Sequence, residues 1–319
     1  MKSVLEVSTP EKATGMILGE RKGQLICLPE DTRLNRHTAV FGASGTMKSR
    51  AVVRNALFSA IRRGESILIS DPKSEMYNET SELFRKNGYE VKVLNLVDPL
   101  HSDSWNCMSD LGEDTLMAQV LTNVIIGNTS SGKGDHFWDN GEANLLKGLV
   151  LYVQMAPTIP QKDKNLAKVY ELLTDPKLMH TINGVLGKSE HHASKASFSL
   201  FAQSSETVRQ GIILGLGTRL QVLQDQAVKQ LVSFSDIDLT APGRHKCAYY
   251  IILSDQETSM AFLSSLFFSF LFIKLTRFAD LSPEGRCPVP VNLILDEFNN
   301  IGRIGGAPDG SDFCRSLSV

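Results

Sequence analysis

Net charge of either sign is nearly absent from this 319-residue chain, in which 33 Lys and Arg stand against 35 Asp and Glu for a formal charge of −2. A histone-like, uniformly basic nucleic-acid binder is therefore excluded, while DNA contact through a local basic loop or an oligomeric pore is not. Paired cysteines are absent as well. Cys27, Cys107, Cys247, Cys287 and Cys314 lie far apart with no C-x-x-C spacing, so the expectation is free thiols in a reducing cytoplasm and no cysteine-based metal site. Long apolar runs are missing: the longest, Met260–Ile273, has 14 residues, against about 20 for a membrane span, and reads as a helix buried in a sheet-and-helix core. Residues 1–14 carry charges throughout and hold no apolar segment of a signal peptide. No repeat or low-complexity tract stands out.

What is present is ordinary globular composition, 42% hydrophobic and 21% charged, in a chain long enough for two domains or one large α/β domain with an insertion. Met16-Ile17-Leu18 and Gln24–Leu28 flank a Gly-containing turn and suggest a hairpin. A strand is expected at 37–41, a helix from Lys48 to Arg63, a buried strand at Ser66–Ser70, a helix at Met76–Asn87 and a strand at Glu90–Leu96. This strand–helix alternation predicts a parallel sheet. From Leu111 the pattern turns helical, with helices expected near 115–126, 137–155, 165–173, 176–186 and 206–223. Strands return at Cys247–Leu253 and Pro290–Leu295, separated by a helix at Thr258–Ala279. The break and return predict an all-helical insertion within an α/β domain.

Two distant segments read as one nucleotide site. The first is Gly42-Ala43-Ser44-Gly45-Thr46-Met47-Lys48-Ser49, between a strand and a helix. A phosphate-binding loop needs glycine-rich backbone whose N–H groups turn toward the anion, a lysine for the β/γ-phosphates and a hydroxyl for Mg²⁺. The following helix N-terminus adds its dipole. The nucleotide-binding set is read as Gly42, Ser44, Gly45, Thr46, Met47, Lys48, Ser49 and Arg50. Met47 stands where the usual pattern has its second glycine, which disfavours the backbone angles that glycine allows. The second segment is the apolar strand Val291–Leu295 ending in Asp296-Glu297. Asp296 is read as a Mg²⁺ partner together with Ser49, and Glu297 as the catalytic carboxylate that polarises water. Asp71-Pro72-Lys73 closes another strand, either at the site's edge or as a simple strand-stopping turn. His191-His192 reads as a solvated loop without metal-ligand companions, and Trp138 as core.

These residues resemble the type IV secretion coupling proteins of the TraG/TraD conjugative transfer family. The matching runs are Val40–Gly45 with Lys48-Ser49-Arg50, Asp71-Pro72-Lys73-Ser74-Glu75, Val93–Pro99 followed by Trp105-Asn106, Phe137-Trp138-Asp139, Leu253-Ser254-Asp255-Gln256, and Leu295–Gly302. The last of these, with its Asp-Glu-Phe start and Asn-Ile-Gly end, is the most family-specific. The resemblance implies an α/β, RecA-like P-loop NTPase core with a mainly parallel sheet and an inserted all-α domain. It implies an N-terminal hairpin segment at 1–36, the core at 37–110 and 236–319, and the insertion at 111–235. It also implies ATP and Mg²⁺ as cofactors, a homo-hexamer, and a place at the cytoplasmic face of the bacterial plasma membrane. The implied activity is ATP-driven delivery of single-stranded DNA with its relaxase, or of protein substrates, to a type IV secretion channel, with relaxosome and channel proteins as partners. The alternatives are a non-catalytic, nucleotide-binding docking platform and a related hexameric translocase of chromosomal DNA.

Against the family pattern, this chain has no transmembrane segment at its start and stops at Val319, before the sensor strand and the arginines that act across subunits. The resemblance therefore implies a truncated, soluble part. It places the next strand between the Asp-Glu strand and the Gly-loop strand. Without that strand the sheet has unpaired inward edges, so residues 1–319 alone are expected to be poorly soluble or partly molten and to show no ATP turnover.

Overall fold

The computed structural model describes residues 5–9, 12–29, 32, 36–43, 46–112, 114–130, 136–187, 192–254, 259–302 and 304. The hairpin expected near the start is present. Strands β2 (Met16–Arg21) and β3 (Gln24–Leu28) pair antiparallel around Lys22-Gly23, both of positive φ, and β1 (Glu6–Ser8) adds a third strand on the other side of β3. Two consecutive residues of positive φ give the turn whose twist matches the flanking strands.

The main sheet has four strands in the order β5 (Glu90–Asn95), β6 (Cys247–Ile252), β4 (Ser66–Ser70) and β7 (Val291–Leu295), all parallel. Every residue of β4 and β6 is buried, as expected for central parallel strands covered on both faces. One face packs α1 (Arg54–Arg63) and α2 (Glu75–Lys86), which bring Leu57 and Phe84 onto Ile67, Ile69 and Tyr250. The other face, through Leu68, Leu94, Tyr249 and Ile251, lies in a second cluster with α11 (Ala261–Leu281). By length and mean hydropathy α11 is long and apolar enough to cross a membrane. Its residues 262–271 are nonetheless all buried inside the protein.

Between β5 and β6 the chain is helical: α3 (Thr115–Thr129), α4 (His136–Met155), α5 (Leu166–Leu173), α6 (Leu178–Leu186), α7 (Lys195–Ala202), α8 (Glu206–Arg219), α9 (Gln226–Leu231) and α10 (Ala241–Arg244). Capping side chains fix several starts. Asp114 accepts from the Leu116 N–H, Asn165 from Lys168 and Asp225 from Ala227, each stabilising by about 1 kcal/mol. The helices α3 to α9 share one continuous cluster with α11 and the sheet.

One expected element does not form. Residues 37–41 adopt irregular, exposed backbone and join no sheet, with Phe41 93% exposed. The apolar run alone does not make a strand, because a strand needs an edge to pair with, and these residues lie on none.

Candidate functional site

The parallel sheet brings the carboxyl ends of β4 and β7 together, since Ser70 is the register partner of Leu295. Just beyond, the Ser70 hydroxyl donates to the Asp296 backbone carbonyl at 2.6 Å. Asp296 then reaches across to the Gly loop: Ser49 Oγ donates to Asp296 Oδ2 at 2.6 Å. Two groups separated by 247 positions in sequence thus share one hydrogen bond. Ser49 opens the helical stretch that leads into α1, through a wide π-type turn over Ser49–Val53.

Lys48 is half-buried and folds back on its own loop, its ammonium donating to the carbonyls of Gly42 at 2.8 Å and Ala43 at 3.1 Å. Thr46 Oγ1 donates to Ala43 O at 2.8 Å. Met47 has φ +61° and is 66% exposed. The backbone at Met47 therefore adopts the left-handed region that favours glycine, at a cost of about 1–2 kcal/mol for a side-chain-bearing residue, and the thioether stays out in solvent. Arg50 is exposed in the first turn. Ser44 and Gly45 lie outside the described residues.

Glu297 also adopts the left-handed conformation, φ +48°, and is exposed. Its carbonyl accepts from the Asn300 N–H, starting the short helical turn Phe298–Ile301. That turn ends on a polar clamp that sequence reasoning missed. The hydroxyls of Ser264 and Ser265 on α11 both donate to Ile301 O, at 2.9 and 2.7 Å. Ser265 Oγ also lies 3.0 Å from Asn128 Oδ1 at the end of α3. Gly302, φ +82°, fits beneath: a Cβ there would lie 2.4 Å from Ser265 Oγ and 2.5 Å from Asn128 Oδ1. The Gly after Asn-Ile was visible in the sequence, but its two serine partners and Asn128 were not, because only the fold brings α3, α11 and this turn together.

Asp71 continues β4 toward β6, its N–H donating to Ile251 O at 2.9 Å. Its buried carboxylate accepts from the Tyr77 N–H at 2.8 Å. Burial pushes its pKa up, against the pull of the Tyr77 and Met76 N–H groups. It caps the start of α2 at the same sheet edge as Asp296. Two other expectations are corrected. Trp138 is not core: it is 41% exposed and lies over Gly211, whose lack of a side chain makes room for the ring. His192 is not a solvated loop residue, since its ring packs 5.9 Å from Tyr152 and its Nδ1 lies 2.7 Å from the Ser194 hydroxyl; His191 lies outside the described residues.

The arrangement of a Gly-rich loop, a lysine and serine after it, and a strand-end aspartate in contact with that serine coincides with a family-wide match. The model of the type IV secretory system conjugative DNA transfer family matches residues 3–318. The chain belongs to that family. Solved structures of the bacterial conjugative coupling protein TrwB share its fold. The unbound monoclinic form of TrwBdeltaN70 superposes with a TM-score of 0.55 at 15% identity, over 83% of this chain and 55% of that one. The complex with the non-hydrolysable GTP analogue GDPNP gives 0.54 at 15%, over 82% and 57%. The complex with ADP and Mg²⁺ gives 0.53 at 14%, over 80% and 61%. The family member described here thus spans little more than half of those chains. Its fold is the RecA-like P-loop NTPase type, α/β with a parallel main sheet. No curated protein sequence matches the chain.

Proposed function

We propose that this chain is the motor part of an ATP-driven coupling protein. It would deliver relaxase-bound single-stranded DNA, or protein substrates, to a type IV secretion channel from the cytoplasmic face of the bacterial plasma membrane, working as a homo-hexamer with relaxosome and channel proteins as partners. The observation that carries the reading is the 2.6 Å hydrogen bond from Ser49 Oγ to Asp296 Oδ2. It joins a hydroxyl and a carboxylate at the foot of a Gly loop, and such hard oxygen donors suit Mg²⁺. The ADP–Mg²⁺ and GDPNP complexes of the TrwB relatives support the same assignment.

In this reading Ser49 and Asp296 hold Mg²⁺, Lys48 meets the β/γ-phosphates, and Gly42, Ser44, Gly45, Thr46, Met47 and Arg50 line the nucleotide. Bound Mg²⁺–ATP supplies the phosphoanhydride whose cleavage drives transport. Lys48 must leave the carbonyls of Gly42 and Ala43 to reach a phosphate. Glu297 stands next to Asp296 on exposed backbone and orients the attacking water. The helical residues 111–235 serve as the docking module, between core segments 37–110 and 236–319, with 1–36 as a separate hairpin segment. Polar loops and the absence of a paired catalytic group among the insertion's described residues support a docking role.

The runner-up is a nucleotide-binding docking platform without turnover, favoured by Met47 in a glycine-type conformation. In the full-length protein, equilibrium binding of Mg²⁺–ATP tests the shared part and ATP turnover separates the two readings. Lys48→Ala is expected to abolish binding and Met47→Gly to keep or improve it; binding unchanged in Lys48→Ala would show that the loop is wrongly assigned. Turnover lost in Glu297→Gln with binding retained supports the motor over the platform.

A further inference from the structure

The start of the sheet, away from Asp296, carries a second cluster. Glu90 opens β5 and Cys247 opens β6, and the two are register partners on neighbouring parallel strands. His245 lies two residues before Cys247 in extended backbone, φ −146° and ψ 170°. Side chains two apart on an extended chain share a face, so backbone geometry alone sets imidazole, thiol and carboxylate together. Their ligand atoms all lie within 4.8 Å of one another. His245 Nε2 is 2.7 Å from Glu90 Oε2, with the two side chains 50% and 39% exposed, while Cys247 is fully buried beneath them.

The scaffold under the cluster is fixed. Ser66 Oγ donates to His245 O at 3.0 Å and accepts from the Cys247 N–H at 3.0 Å, so one hydroxyl holds both ends of the His-Lys-Cys segment. The intervening Lys246 turns away, its ammonium on Asn87 O at 2.9 Å and over the Tyr89 ring. The neighbouring Arg244 is held by Asp238. Without a cation, burial and then the Glu90 carboxylate push the Cys247 thiol up to about 12, so the cluster is not a free nucleophile of its own.

The geometry points to a divalent transition-metal site at Glu90, His245 and Cys247, with Zn²⁺ the cation whose taste for N, S and O donors in one tetrahedron fits this set. The three protein ligands leave the fourth position to water, reached from the exposed Glu90–His245 side. On coordination the Cys247 proton passes to solvent and the thiolate sulfur binds the cation; no electron is transferred. The site ties β5 to β6 at their amino ends. It is one strand length, about 17–20 Å, from the carboxyl-end edge that carries Asp296, so it stands apart from nucleotide chemistry. No C-x-x-C spacing announced it, because one ligand comes from across the strand pair.

Co²⁺ added to the reduced full chain is the direct probe. The expected result is one equivalent bound, with a sulfur-to-cobalt charge-transfer band in the near ultraviolet, displaced by Zn²⁺. The band should vanish in Cys247→Ser and persist in Cys107→Ser and Cys287→Ser. Glu90→Gln and His245→Gln should each weaken Zn²⁺ binding about tenfold or more, since loss of even an outer-shell partner reaches that scale, and should remove the rise in Tm that Zn²⁺ gives the unaltered chain. Because Cys247 is buried and Cys247→Ser can fail to fold, these two surface variants keep the test decisive. Absence of the band in the folded unaltered chain, its survival in a folded Cys247→Ser, or Zn²⁺ affinity unchanged in both surface variants would overturn the proposal.

Discussion

Asp71 shows how one carboxyl at the sheet edge can run against the usual acid-denaturation trend. Its pKa is raised above the ordinary 3.8 by burial, and the N–H groups of Tyr77 and Met76 offset that only in part. Because the folded value lies above the unfolded one, the stability this group contributes is fully present below pH 3.8 and is lost as pH rises through the folded value. A salt-bridged aspartate does the reverse. NMR titration of the Asp71 carboxyl carbon, assigned with Asp71→Asn, should give a midpoint above 3.8. A midpoint at or below that value would mean that the N–H donors, and not burial, dominate the site. The neighbouring contact from Ser49 to Asp296 was legible in the sequence as a pairing of two segments, because a Gly loop and a strand-ending Asp-Glu predict each other's proximity. Ser70 and Asn128 were not legible, since a hydroxyl or amide acquires its partner only when strand register and helix packing are known.

At the scale of elements, the pattern of apolar residues placed β4 at Ser66–Ser70 as observed, and the helix starts near Thr115 and Phe137 came within a residue of α3 and α4. The helices α9 and α10 were missed, because six and four residues give too few periodic positions to read. The helix α7 was missed although α5 has the same eight residues, because α5 buries Leu166, Val169, Tyr170 and Leu173 at helical spacing and α7 buries Ser197, Phe198 and Phe201. The expected strand at 37–41 failed for the opposite reason: its pattern was present and its pairing edge was not. The contact between α4 and α8 was also hidden in the sequence. Glu142 on α4 is buried and paired with Arg219 on α8, which also holds Asp139. Gly215 makes the room, since a Cβ there would lie 2.0 Å from Glu142 Oε1. Gly215→Ala should force the Glu142 carboxylate to turn, since Oε1 faces the new methyl while Oε2 holds Arg219, and weaken that buried contact at a cost of about 1–3 kcal/mol. Leu214→Ala, one residue earlier and 73% exposed, should change stability by about 0.5 kcal/mol or less. Urea denaturation of the two variants checks the contrast, and equal effects would show that α8 shifts to accommodate a methyl group.

For the whole molecule, the question is whether the helical insertion is an independent body or part of one cooperative unit. A docking module on a motor invites the first answer, and the packing supports the second. Trp105 sits at the junction. Its N–H donates to Leu231 O at the end of α9, its indole N–H to Asp110, and its ring meets Phe267 and Phe270 of α11 edge-on at 5.1 and 6.0 Å. The same continuous cluster runs from Leu68 and Tyr249 in the sheet through α11 to Leu121, Leu149 and Phe198 in the insertion. An interface between loosely attached domains is more polar than this and permits separate motion. Removal of residues 111–235 would strip one side from α11 and expose an apolar surface of the kind that drives aggregation. The intact chain should therefore unfold in one calorimetric transition, with the helical signal in far-UV circular dichroism and the tryptophan signal lost together. Trp105→Ala, which empties the junction, should cost about 3–5 kcal/mol and lower that single transition for both signals. Two separated transitions in the intact chain, with the helical signal melting alone, would mean that the insertion folds by itself and that the shared cluster is a contact between domains, not a common core.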